Sequence, residues 1–127
     1  MKKLLFPIIT VLLSVSSFAQ KAEWKEMTDF HTIMSSTFHP AEENKLQPLK
    51  ENASSLVTKA KAWETSAVPA GFNVSVTKPI LKKLVKQCKE IEKSVKKNKS
   101  DAELKSMITA AHDTFHEIME KCREEKH

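Results

Sequence analysis

Ser100-Asp101-Ala102-Glu103-Leu104-Lys105-Ser106-Met107-Ile108-Thr109-Ala110-Ala111-His112-Asp113-Thr114-Phe115-His116-Glu117-Ile118-Met119-Glu120-Lys121-Cys122 runs without a glycine or a proline. Its apolar residues Leu104, Ile108, Ala111, Phe115, Ile118 and Cys122 recur at spacings of three and four, which places them on one face of a helix. Ser100 with Glu103 three positions on has the form of a capping box, in which each side chain satisfies a free backbone N–H. An amphipathic helix of this length needs other apolar faces to cover it, and the rest of the chain supplies them.

Working towards the N-terminus, Leu81, Leu84, Cys88, Ile91 and Val95 mark a third helix over residues 78–97. Before it, residues 66–77 hold Pro69, Gly71 and Asn73, the densest cluster of turn formers, and read as a linker. The β-branched run Val74-Ser75-Val76-Thr77 is too short to argue for a strand. A second helix spans 47–65 with Leu49, Ala53, Leu56, Ala60 and Trp63 inward, and Pro48 sits in its first turn, where a missing N–H costs nothing. The first helix spans 21–38 on Trp24, Met27, His31, Met34 and Phe38, with His39-Pro40 expected to end it because proline disfavours the helical region for its predecessor. Residues 40–46 are then a turn or a short separate piece. The expectation is an all-α antiparallel up-down-up-down four-helix bundle.

The extreme N-terminus has a different character. Lys2 and Lys3 precede an apolar run from Leu4 to Val15, followed by Ser17-Phe18-Ala19. That is the pattern of a cleavable secretory signal, and it is shorter than the roughly 20 residues a membrane-spanning helix needs. Cleavage after Ala19 leaves a single domain over 20–127, periplasmic or secreted, with no membrane insertion. Loss of two lysines takes the 21 basic residues to 19 against 16 acids, a net of +3. The lysines alternate with glutamates and form no block longer than a pair such as Lys96-Lys97, which points away from nucleic acid and towards a solvated surface.

Two cysteines in an exported chain invite a disulfide. In an antiparallel bundle, however, Cys88 faces the level of Ala111. Cys122 then lies roughly 16 Å further along at 1.5 Å per residue, beyond the ~7 Å Cα limit for a bridge. Both read as small buried hydrophobes; the alternatives are a thiolate metal ligand at Cys88 and a Cys122 bridge that makes a homodimer.

Four of the five histidines fall in two pairs, His31 and His39 around the first helix and His112 and His116 on the last, and these helices are neighbours in such a bundle. His112 and His116 are spaced i,i+4, a spacing that offers two imidazoles to one ion. His31 sits in an otherwise apolar stripe and is expected within a turn or two of them, where burial would demand a partner. Met27, Met34, Met107 and Met119 read as core filler. His31, His112 and His116 thus form a candidate site for zinc, copper or nickel, with His39, Glu43 or Cys88 as a fourth ligand. The competing view is a cofactor-free partner-binding or stress bundle whose histidines only hydrogen-bond. Enzymatic function finds no support: there is no nucleophile–base arrangement, no Gly-rich phosphate loop and no pair of Glu-x-x-His helices for a dimetal centre.

With these residues in place, the mature chain resembles the four-helix-bundle cytochromes, the c-prime type and its non-covalent b-type relatives. The likeness lies in the Ala- and Leu-rich second helix, the linker Pro69-Ala70-Gly71-Phe72, and Asp101-Ala102-Glu103-Leu104 opening a last helix with a motif two to three turns on. Where c-prime cytochromes have Cys-x-x-Cys-His, this chain reads His112-Asp113-Thr114-Phe115-His116, so covalent haem attachment is excluded there. The b-type relatives imply instead a non-covalent haem b, with Met27 and His116 as axial ligands, in an electron-transfer protein. The chain is also similar to small exported bacterial bundles that bind metal ions.

Overall fold

The computed structural model describes residues 23–122. Four α-helices, α1 (Lys25–Glu42), α2 (Gln47–Thr65), α3 (Val74–Lys96) and α4 (Asp101–Lys121), make up 81% of these residues, with no strand among them. The signal segment and its cleavage point lie outside the described residues. No described helix is long and apolar enough to cross a membrane.

The bundle is cyclic: α1 packs on α2, α2 on α3, α3 on α4 and α4 on α1, while across the diagonals the backbones stay apart and α2 meets α4 through side chains, Trp63 on Phe115. Four bonds fix which ends meet. Trp24 Nε1 at the start of α1 donates to Ser66 Oγ at the end of α2, at 2.8 Å. Lys78 Nζ early in α3 donates to the Glu64 carbonyl late in α2, at 2.9 Å. Asn73 N–H, before α3, donates to the Cys122 carbonyl after α4, at 2.7 Å. Lys105 Nζ early in α4 donates to Asn44 Oδ1 just past α1, at 3.0 Å. Every one joins the start of one helix to the end of another.

The two short turns share one device. Asn44 and Asn98 both adopt positive φ, 64° and 54°, and in each case the following lysine N–H reaches back five residues. Lys45 donates to the Pro40 carbonyl and Lys99 to that of Ser94, while Asn44 and Asn98 donate to Ala41 and Val95. This double bond pattern closes a helix around a left-handed residue, and asparagine tolerates that conformation better than most residues.

Two boundaries differ from the sequence expectation. Pro40 does not end α1; it lies inside the helix's last turn. The one bond it forfeits is to the carbonyl of Ser36, an exposed residue that water can reach, and its own carbonyl accepts from Glu43 and Lys45. Likewise α3 begins at Val74 rather than Lys78, because Asn73 Oδ1 accepts from the Val76 N–H and nucleates an extra turn from the β-branched run. At α4 the serine half of the capping box is formed, with Ser100 Oγ accepting from the Glu103 N–H at 3.2 Å.

One apolar core runs through the bundle. Its aromatic part is a chain of ring contacts: Trp24 on Trp63, Trp63 on Phe30 and Phe115, and Phe30 on Phe115, all with centroids 5.5–5.7 Å apart, within the range of favourable aromatic pairs. Three threonines are buried with it, Thr37, Thr77 and Thr114. Each satisfies its hydroxyl by donating to a backbone carbonyl one turn back, so none of the three hydroxyls is left unpaired, whereas the Trp63 indole N–H in the same core has no partner. Cys88 and Cys122 are both free and fully buried. The Cys122 side chain shares a hydrogen bond with that of Thr77, so a bridge to a second copy would require it to leave the core.

Candidate metal centre

His112 and His116 stand one turn apart on α4, flanked by Ala111, Phe115 and Ile118, which lock that helix into the core. This anchoring holds the two imidazoles at the α1–α4 seam, half-buried. The His112 ring lies flat on Phe38 of α1, with centroids 3.7 Å apart and planes 8° from parallel. The His116 ring meets it at 70°, and the two Nε2 atoms are 3.2 Å apart. At that distance one neutral imidazole donates to the other. It is also close to the roughly 3.3–3.4 Å between two nitrogens that each lie 2.0–2.1 Å from one tetrahedral ion.

The electrostatics favour neutral nitrogen at His112. Burial holds its basicity below the ordinary value, and the neighbouring His116 adds to the effect; His39 acts in the same direction, while Asp113 and Glu42 oppose it. An unprotonated imidazole is the form that ligates a metal. His116 Nδ1 has Glu120 Oε1 at 3.7 Å. This is too long for a hydrogen bond but close enough for the carboxylate to orient the ring through a small rotation.

The other residues singled out by sequence are placed differently. His31 is exposed rather than buried. The buried line of α1 is Phe30, Met34, Thr37, Phe38 and Ala41, and His31 lies at its edge, its ring stacked on Phe115 with centroids 5.2 Å apart. It therefore approaches the pair through Phe115 without needing a partner for burial. His39 is exposed and its Nδ1 lies 3.0 Å from Glu42 Oε1. Glu43 is exposed and faces Lys45 at 3.6 Å. Cys88 is sealed in α3, and burial pushes its thiol up to about 12, which disfavours the thiolate a metal needs. Among the described residues, no three His, Cys, Asp or Glu side chains are grouped to hold a metal ion. His112 and His116 thus bring two ring nitrogens together with no third such side chain grouped beside them among the described residues.

Met27 is partly buried against the core. A haem between Met27 and His116 would need an apolar slot between α1 and α4. That space is packed by Phe30 and Phe115, which are 0% and 1% exposed and in ring contact with each other and with Trp63. The rings would have to part to admit a porphyrin, so the packed core does not fit the group.

Two contributors escaped the sequence reading: Phe38, as the platform for His112, and Glu42, as the acid between His39 and His112. The signal that would have found them is the i,i+4 step from Phe38 to Glu42, carried across the seam to His112. Set against models of protein families, curated proteins and solved structures, the chain matches none.

Proposed function

We propose that this is a small exported four-helix-bundle protein that binds a first-row transition-metal ion, zinc, copper or nickel, at the α1–α4 seam. The observation that carries the reading is the 3.2 Å separation of His112 Nε2 and His116 Nε2, held by an anchored helix and a stacked Phe38. His31 and His39, both exposed, would supply further nitrogens from α1 by leaving their contacts with Phe115 and Glu42, and Glu42 a carboxylate. A ligand set of imidazoles with one carboxylate suits such ions better than calcium or magnesium. The role is binding rather than catalysis.

Equilibrium dialysis followed by elemental analysis tests this. The protein is expected to retain one ion at micromolar concentration, and His112→Ala or His116→Ala to lose at least tenfold in affinity. A metal that binds only the folded state at a hundred times its dissociation constant stabilises by about 2.7 kcal/mol, so melting temperature should rise with metal in the parent protein and not in either variant. No retained ion and no shift would leave the cofactor-free reading, in which the same 3.2 Å contact is a hydrogen bond between two imidazoles.

A further inference from the structure

The methionines divide into two kinds. Met34 is fully buried in the core, whereas Met27 and Met119 are only partly buried against it. Two ring contacts fix where they stand. His31 of α1 stacks on Phe115 of α4 and Phe38 of α1 on His112, so one helix rises in number as the other falls. Four residues back along α1 from His31 is Met27, and four residues on along α4 from Phe115 is Met119. In an antiparallel pair these two steps run the same way, and each keeps to its own helix face. The two thioethers therefore come level at the α1–α4 seam. Met107, also partly buried, is different: it lines a groove towards α3 with Lys83, Lys86, Gln87 and Glu90, and that lining holds no imidazole.

His116 joins this turn of the seam to the next. Met119 follows it by three residues, a spacing that makes the two side chains neighbours on α4. The two ring nitrogens of His116 face different groups: Nε2 lies 3.2 Å from His112 Nε2, and Nδ1 lies 3.7 Å from Oε1 of Glu120, in the turn that carries Met119. When the His116 Nε2–H donates to His112, the lone pair stands on Nδ1. Holding the far N–H of an imidazole in this way is how proteins orient a histidine that ligates a metal. One imidazole nitrogen and two thioethers thus share a single turn of the seam. In that tautomer none of the three has a proton to lose before it meets a cation.

From this juxtaposition we infer that the seam holds a copper(I) ion between His116 Nδ1 and the thioether sulfurs of Met27 and Met119. Soft thioethers select copper(I), whereas imidazole alone suits zinc and nickel equally well. The site goes beyond an ion shared by the two Nε2 atoms, because here His112 supports His116 and is not itself a ligand. The two arrangements have His116 in common and ask for different metals.

Anaerobic titration of the purified protein with copper(I), kept reduced by ascorbate and competed with bicinchoninate, tests the inference beside zinc dialysis of the same samples. Met27→Leu with Met119→Leu, which removes both sulfurs at nearly constant volume, should lower copper(I) affinity about 100-fold, the upper end of what losing a supporting residue costs a metal site. Zinc retention should stay as in the parent. Unchanged far-ultraviolet circular dichroism and metal-free melting temperature would confirm that the variant folds. X-ray absorption at the copper edge of the loaded parent protein should show sulfur scattering, a readout that needs no variant. Copper(I) held as tightly by the double leucine protein, or a copper shell of nitrogen and oxygen only, overturns the proposal, and so does a parent protein that cannot hold copper(I) against the competitor. Zinc lost while copper(I) is held would instead sink the ion between the two Nε2 atoms and leave the thioether site standing.

Discussion

The histidines of α4 and those of α1 have similar local sequences and different fates. Phe30-His31 and Phe115-His116 are both Phe-His pairs followed one residue later by Ile-Met, yet His116 is half-buried beside His112 while His31 is exposed. The difference comes from the neighbouring helix. His112 has Phe38 of α1 beneath it and His116 beside it, whereas His31 has one stacked ring, Phe115, and otherwise solvent. An imidazole's chemistry is set here by what packs on it from another element, more than by its place in its own stripe.

The sharpest way to break this contrast is to remove the platform. Phe38→Ala deletes a core side chain and the ring under His112, and should destabilise the protein by about 3 kcal/mol, the low end for such a truncation because Phe38 lies at the core's margin. Urea denaturation measures the loss. An NMR titration of the same variant should show His112 moving back towards ordinary imidazole behaviour; an unmoved His112 would mean that Phe38 does not shield it.

A smaller effect is expected from acid. The folded protein holds His112 below its ordinary value of 6.5, so the unfolded chain takes up that proton at a higher pH than the folded one. The associated stability is complete above the ordinary value and is lost as pH falls through the depressed one. Metal-free melting temperature should therefore fall from neutral pH into that window, and His112→Asn should flatten this part of the curve. Identical pH profiles for parent and variant would contradict the assignment.

The smallest effect belongs to His31. With its ring at the surface, His31→Gln should change metal-free stability by no more than about 0.5 kcal/mol. A loss of 2 kcal/mol or more, the order expected of a buried group left without its partner, would show that the exposed placement is wrong.

Much of the fold was legible because amphipathic helices write their inner face into the sequence at three-four spacing. The second helix is found at the expected residues, Gln47–Thr65, where Pro48 marked its start. The misplacement of His31 has an identifiable cause. The sequence stripe ran through Trp24, Met27, His31, Met34 and Phe38 and passed over Thr37 as polar, but Thr37 buries its hydroxyl against the Ile33 and Met34 carbonyls and turns the inner face towards Phe30, Thr37 and Ala41. A residue able to satisfy itself within its own helix is invisible to a hydrophobicity count. The gathering of seven lysines on α3 is hard to see in the sequence for a related reason: at helical spacing, like charges share a side without being adjacent in sequence. The 3.2 Å approach of His112 and His116 could be anticipated from their i,i+4 spacing, but the flat stacking on Phe38 depends on how α1 and α4 face each other.

That α1 and α3 lie across the bundle from one another, with no close approach of their backbones, gives the molecule a direction. With +5 on α3 and an acidic excess on α1 and α4, it is an electric dipole. In the field of a charged surface it experiences a torque before it experiences contact. A charged surface would therefore select a face before it is touched, an anionic one favouring α3 and a cationic one the side of α1 and α4.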